Sequence, residues 1–315
     1  MSRTAAQTLP TAAAGVPSTP AAATPPAWLL WAALWTVYVV WGSTYLAIRV
    51  MVETMPPLLS AGARFTVAGA VLLAVLAARG HRVRLDRATL LGATLVGTLL
   101  MGANGVVTIA EQEVPSGLAA LLVASVPLWV ILLRRLARER VSRRSVLAVA
   151  VGFAGVALLL APGEGPDGAP LIGLLGVVAA AAMWASGSFA SPRVALPREP
   201  LVSVGWQMLL GGTACIAVAL ALGEAGDVRP AAFSADSLLA FGYLVVFGSW
   251  VAFTAYAWLL QNAPLSRVAT YAYVNPVVAI ALGALILGEA ITPLTVVAAA
   301  IIVASVALVV RTERK

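Results

Sequence analysis

Ten apolar runs succeed one another along the chain with short polar connections between them, at Trp28–Arg49, Pro57–Ala78, Thr89–Ala110, Pro115–Leu133, Ser145–Ala161, Leu171–Ala190, Leu201–Leu222, Ser237–Leu260, Leu265–Leu287 and Thr292–Val310. Each is near the roughly 20 residues a helix needs to cross a bilayer's hydrocarbon core. In lipid every backbone N–H and C=O must be satisfied within its own segment, so runs of this length predict helices rather than strands. No soluble interior could take up ten of them. The composition agrees: 10% of residues are charged and 61% hydrophobic, whereas soluble domains are about 25% charged. The expected fold class is an all-α polytopic membrane protein with ten transmembrane helices. Residues 1–27 are rich in Ala, Thr, Pro and Ser with Arg3 as the one charge. They cannot build a core and are expected to form a disordered cytoplasmic tail. They do not read as a signal peptide, because the apolar stretch begins late and is long enough to span.

The net charge of +7 would suit nucleic acid if the cations clustered on one folded face with aromatics between them. Instead they sit in alternate connections, which is how membrane orientation is encoded. Arg79, Arg82, Arg84 and Arg87, the arginines between Arg134 and Arg144, Arg193, Arg198, Arg267 and the terminal Arg311, Arg314 and Lys315 fall on one side. The other keeps Arg49 and Arg229 among Glu53, Glu113, Glu164, Asp167, Glu224 and Asp227. Both termini, including residues 311–315, are therefore expected in the cytoplasm, and nucleic acid is not an expected partner.

The single histidine, His81, lies in a loop and the single cysteine, Cys215, in an apolar run. A histidine metal site, a Ser–His dyad and an intrachain disulfide are thereby excluded within the spans. Asp86, Asp167, Asp227 and Asp236 read as loop or boundary residues, which removes aspartyl chemistry. No catalytic residue, cofactor or metal is expected, and the chain does not read as an enzyme.

The chain also repeats itself. At an offset of 143 residues Trp41 meets Trp184, Pro57 meets Pro200, Gly62 meets Gly205 and Gly69 meets Gly212; at 149, Gln112 meets Gln261, Pro115 meets Pro264 and Pro127 meets Pro276. Shared Trp, Pro and Gln in one order is not what apolar composition alone produces. Each half, 28–161 and 171–310, would hold five spans. An odd number inserts the halves in opposite senses, the inverted repeat of many secondary transporters, whose substrate site lies between the halves near mid-membrane.

Polar residues within the spans mark where such a site could be. Pro127 and Pro276 donate no N–H and free the carbonyls of Val123 and Ala272, which makes them candidate kinks or gates. Tyr271 and Asn275 share a helix face. Asn104 and Thr108 form a polar stripe that climbs toward Glu111. Trp41, Thr44 and Tyr45 lie on one side of the first helix, with Trp184 and Ser188 as their counterparts in the second half, and Ser249 and Trp250 on the eighth helix join them as candidates. The bland alternatives are interhelical hydrogen bonding and close packing of small residues. Arg64 is the one charge well inside a span, roughly 10 Å deep at 1.5 Å per residue from Pro57. It can pair with Glu111, snorkel, or meet a substrate anion.

The segments WGSTYLAIRV and PPLLSAGARF (from Trp41 and Pro56), NGVVTIAE and VPSGLAALLVASVP (from Asn104 and Val114) and TYAYVNPVVAIALGALILGE (from Thr270) resemble the EamA-domain branch of the drug/metabolite transporter superfamily, and within it the YedA-type inner-membrane exporters. The resemblance covers nearly all of residues 28–310. It implies ten helices around a central cavity, and export of amino acids, other small metabolites or drugs. One departure is that Gln207 stands where the second half would repeat Arg64. The expected function is alternating-access transport of small neutral, zwitterionic or amphipathic solutes across the inner membrane, with translocation of a lipid as the alternative. The expected partners are that solute and the bilayer; a monomer and a homodimer fit the sequence equally.

Overall fold

A computed structural model describes residues 25–160 and 169–312. Most of the expected tail, 1–24, and the last three residues lie outside the described residues, as do Glu164 and Asp167. Among the described residues the chain is helical and holds no strand. The helices are α1 Ala27–Met51, α2 Pro57–Ala78, α3 Arg87–Ala110, α4 Ser116–Val123, α5 Val126–Leu136, α6 Arg143–Leu159, α7 Leu171–Ala190, α8 Pro200–Ala221, α9 Ala235–Tyr243, α10 Ala252–Asn262, α11 Leu265–Val268, α12 Tyr271–Leu287 and α13 Pro293–Thr312. A π-helical segment, Leu244–Val251, joins α9 to α10. Among the described residues eight helical stretches are long and apolar enough to cross a membrane, with Ser116–Leu136 and Ala235–Asn262 counted as one each. The shorter α6 and α12 pack beside them.

Local chemistry explains the element starts. Asp86, Ser142 and Ser234 cap α3, α6 and α9 by accepting from the N–H groups of Thr89, Ser145 and Ser237, each cap contributing about 1 kcal/mol. Pro57 and Pro200 occupy the first helical position of α2 and α8, where the missing N–H costs nothing.

The helix ends collect into two rims. On one, Arg49 at the end of α1 donates to the carbonyls of Glu111 and Gln112. Here Gly223 (φ +89°) ends α8 and turns Glu224 toward α2, where its carboxylate accepts from Leu58 N (3.2 Å) and Leu59 N (2.7 Å). Gly288 (φ +68°) ends α12 in the same way, and Glu289 accepts from Ser116 N (2.7 Å) and Gly117 N (3.1 Å) of α4. On the other rim His81 faces Glu199 at 2.8 Å, Trp206 Nε1 donates to the Val83 carbonyl at 2.8 Å, and Glu139 accepts from both Arg134 and Arg193. The first rim is acidic and the second carries the arginines.

Glycines set the close crossing between α2 and α8. A Cβ on Gly69 would lie 2.6 Å from the Gly205 carbonyl oxygen, and one on Gly212 would lie 2.8 Å from the Gly62 oxygen. Backbones approach this closely only over small residues.

Candidate functional site

Between the rims lies a cavity with about 130 Å³ open to water, room for several waters at roughly 10–15 Å³ each. Trp41, Thr44, Tyr45 and Ile48 of α1 reach it from one helical face, spaced three and four apart. Ala103, Asn104 and Val107 do so from α3, and Ala180 and Trp184 from α7.

Both predicted proline segments line this space. The fourth apolar run is interrupted: α4 stops at Val123, a turn passes through Ala124 and Ser125, and α5 begins one residue before Pro127. In the ninth run the turn falls at Ala269–Thr270, between α11 and α12, and α12 continues through Pro276. The Pro276 ring removes the N–H that the Ala272 carbonyl would otherwise accept, and Ala272 lines the cavity. Asn275 is 8% exposed and its Oδ1 has no hydrogen-bond partner among the described residues. Leaving a buried acceptor unpaired costs about 1–3 kcal/mol, which a donor arriving in the cavity would recover.

Aromatic rings close one wall. The Trp41 ring centroid lies 5.1 Å from that of Phe253, 5.1 Å from Tyr256 and 5.2 Å from Tyr271. Its indole N–H points to the Gly248 carbonyl at 3.3 Å, inside the π-helical segment. The wider π turn also presents Ser249, whose hydroxyl donates to the Leu244 carbonyl (3.1 Å) and accepts from Arg64 Nε (3.2 Å). π segments recur at functional sites because they re-aim backbone and side chains. Arg64 lines the cavity at 4% exposure, and its guanidinium lies 4.5 Å from the Phe65 ring centre.

The structure therefore brings Trp41, Thr44, Tyr45, Asn104, Trp184, Tyr271, Asn275, Pro127, Pro276 and Arg64 to one cavity. Other candidates do not line it. Thr108 Oγ1 is spent within its own helix on the Asn104 carbonyl, 2.8 Å away. Trp250 is anchored against α2 by its N–H to the Ala68 carbonyl at 2.9 Å. Ser188 is half-buried one turn past Trp184, toward the arginine rim. Glu111 is fully buried at the acidic rim. Of the alternatives for Arg64, pairing with Glu111 is not what is found: Arg64 turns to Ser249, and neither carboxylate oxygen of Glu111 has a hydrogen-bond partner among the described residues. Sequence reasoning missed Phe253 as a site residue, since an apolar side chain carries no mark of the partner it will meet.

A model of the EamA-like transporter family matches the chain over residues 26–161 and again over 171–311. An Escherichia coli protein named "Uncharacterized inner membrane transporter YedA" is 41% identical over 285 residues, 89% of this chain and 90% of that one. A Salmonella typhimurium protein named "Probable amino-acid metabolite efflux pump" is 27% identical over 275 residues, 85% of this chain and 90% of the relative. One solved crystal structure superposes with a TM-score of 0.61 at 26% identity, covering 90% of this chain and 98% of the other.

Proposed function

We propose, from the premise that this chain belongs to the EamA-like transporter family, that it exports small zwitterionic or amphipathic solutes across the inner membrane by alternating access. The eight long helical stretches, with α6 and α12, make ten spans in two five-helix units of opposite insertion, and the arginine rim faces the cytoplasm. The α2–α8 crossing supports this pairing. Gly62 and Gly205 are repeat counterparts, as are Gly69 and Gly212; Gly62 meets Gly212 while Gly69 meets Gly205. A two-fold axis exchanging the halves maps each contact onto the other.

The observation that carries the reading is the wall chemistry of the cavity. Arg64 offers guanidinium donors to an anionic group, the orphaned Asn275 oxygen offers an acceptor to an N–H, and the Trp41 cluster offers aromatic faces to an apolar or cationic part. An amino acid or a similar amphipathic metabolite presents that combination, and the efflux-pump name of the Salmonella relative points the same way. No observation favours a lipid cargo.

The test is uptake into vesicles holding the purified protein, with a panel of L-amino acids, their decarboxylated amines and aromatic carboxylates. Asn275→Ala and Trp41→Ala should each lower transport of the best solute about tenfold, the equivalent of 1.4 kcal/mol of lost binding. Unchanged transport in both variants would overturn the assignment.

A further inference from the structure

Glu111 is the C-terminal cap of α3 and is 0% exposed, and neither carboxylate oxygen has a hydrogen-bond partner among the described residues. Four groups face it electrostatically. Arg49 and Tyr45 come from α1, Arg64 from α2, and Glu289 from the turn after α12. Neither cation bonds the Glu111 carboxylate: Arg49 Nη1 donates to the backbone carbonyls of Glu111 and Gln112, and Arg64 Nε to Ser249. Glu289, the other acid, is held by the N–H groups of Ser116 and Gly117. The Ser116 hydroxyl beside it is also buried without a partner. An ionised carboxylate cannot be buried here without a donor; it takes up a proton instead.

We infer that Glu111 is the proton-carrying site of the transport cycle, taking up a proton while the acidic rim is open to the outer compartment and giving it up to water in the cavity once the arginine rim opens. The inference rests on the transporter reading above. The step is a simple proton transfer. With the acidic rim open, the hydrated Glu111 carboxylate takes a proton from water of the outer compartment, an O–H bond forms, and the rim closes over a neutral side chain. When the arginine rim opens, that O–H bond breaks and the proton passes to water in the cavity, whose wall holds Tyr45 and Arg64 within electrostatic reach of Glu111; the negative charge stays on the carboxylate near Arg49. The ionised form carries solute outward and reopens the acidic rim, so one proton enters for each solute that leaves.

Two measurements on the full chain in vesicles test this. In the first, infrared spectra at neutral pH should show the C=O stretch of a protonated carboxyl that is lost in Glu111→Gln and kept in Glu289→Gln. Absence of that band in the parent overturns the inference. In the second, a one-unit pH gradient, acid on the side of the acidic rim, should drive up to about tenfold accumulation of the fastest-exchanging panel solute toward that side, the limit for one proton per cycle. Glu111→Gln should lose this response while solute-for-solute exchange continues. A response retained in Glu111→Gln overturns the inference, as does loss of exchange together with it. A parent that performs no exchange at all fails the transporter reading itself, which is a separate outcome.

Discussion

Glu139 shows how single side chains stabilise the arginine rim. It is half-buried and accepts from Arg134 at 2.9 Å and from Arg193, tying the end of α5 to the turn after α7. The hydrogen bond from Arg134, followed by that from Arg193, holds its carboxyl below the usual glutamate range. A depressed folded-state pKa adds stability that is complete above the unfolded value, near 4.3, and is lost as pH falls through the folded one. The thermal midpoint of the detergent-solubilised protein should therefore fall more steeply below about pH 4 in the parent than in Glu139→Gln. Parallel pH curves for the two would remove the clasp. At this scale some polar residues in apolar surroundings were informative: Trp41, Asn104, Tyr271, Asn275 and Arg64 line the cavity, whereas Thr108, Ser188 and Trp250 do not. It was uninformative about partners. Ser249 lies 185 positions from Arg64, and periodicity does not report which of two polar groups a flexible guanidinium will reach.

Helices here are shaped by what they must approach. Gly69 and Gly212 let α2 and α8 touch through their backbones, and an added Cβ would meet main-chain atoms that cannot swing aside. Gly69→Ala should lower stability by about 1–3 kcal/mol. By contrast, a Cβ on Gly242 of α9 meets nothing within 4 Å, so Gly242→Ala should be neutral or gain a few tenths of a kcal/mol through helix propensity. Unfolding curves of the two variants provide the comparison, and equal losses would show that the crossing is not set by its glycines. Helix boundaries were legible within a few residues, because Pro, Asp and Ser mark the starts of α2, α3, α6, α8 and α9 chemically. The π segment was not. LVVFGSWV is as apolar as the α-helix around it, and the wider turn is selected by what Trp41 and Arg64 find at Gly248 and Ser249. The ninth run shows the same limit: Pro276 marks a weakened hydrogen bond, while the turn itself sits at Ala269–Thr270.

The membrane-spanning, all-helical character of the molecule was legible as long apolar runs joined by arginine-rich connections. Those features are visible in the sequence because lipid imposes apolar length on every span alike. The cavity's shape is not visible there, since it depends on how several helices lean on one another. On the proposed mechanism, water reaches this cavity from each rim in turn. Cys215 is the only cysteine and is buried, so one substitution, Cys215→Ala, gives a thiol-free background into which Asn275→Cys can be placed. In vesicles of known orientation, a membrane-impermeant thiol reagent should label that position from the side of the arginine rim and, in a separate sample, from the side of the acidic rim, with saturating solute protecting it in both. Labelling from one side only under every condition, or from neither, would contradict the account.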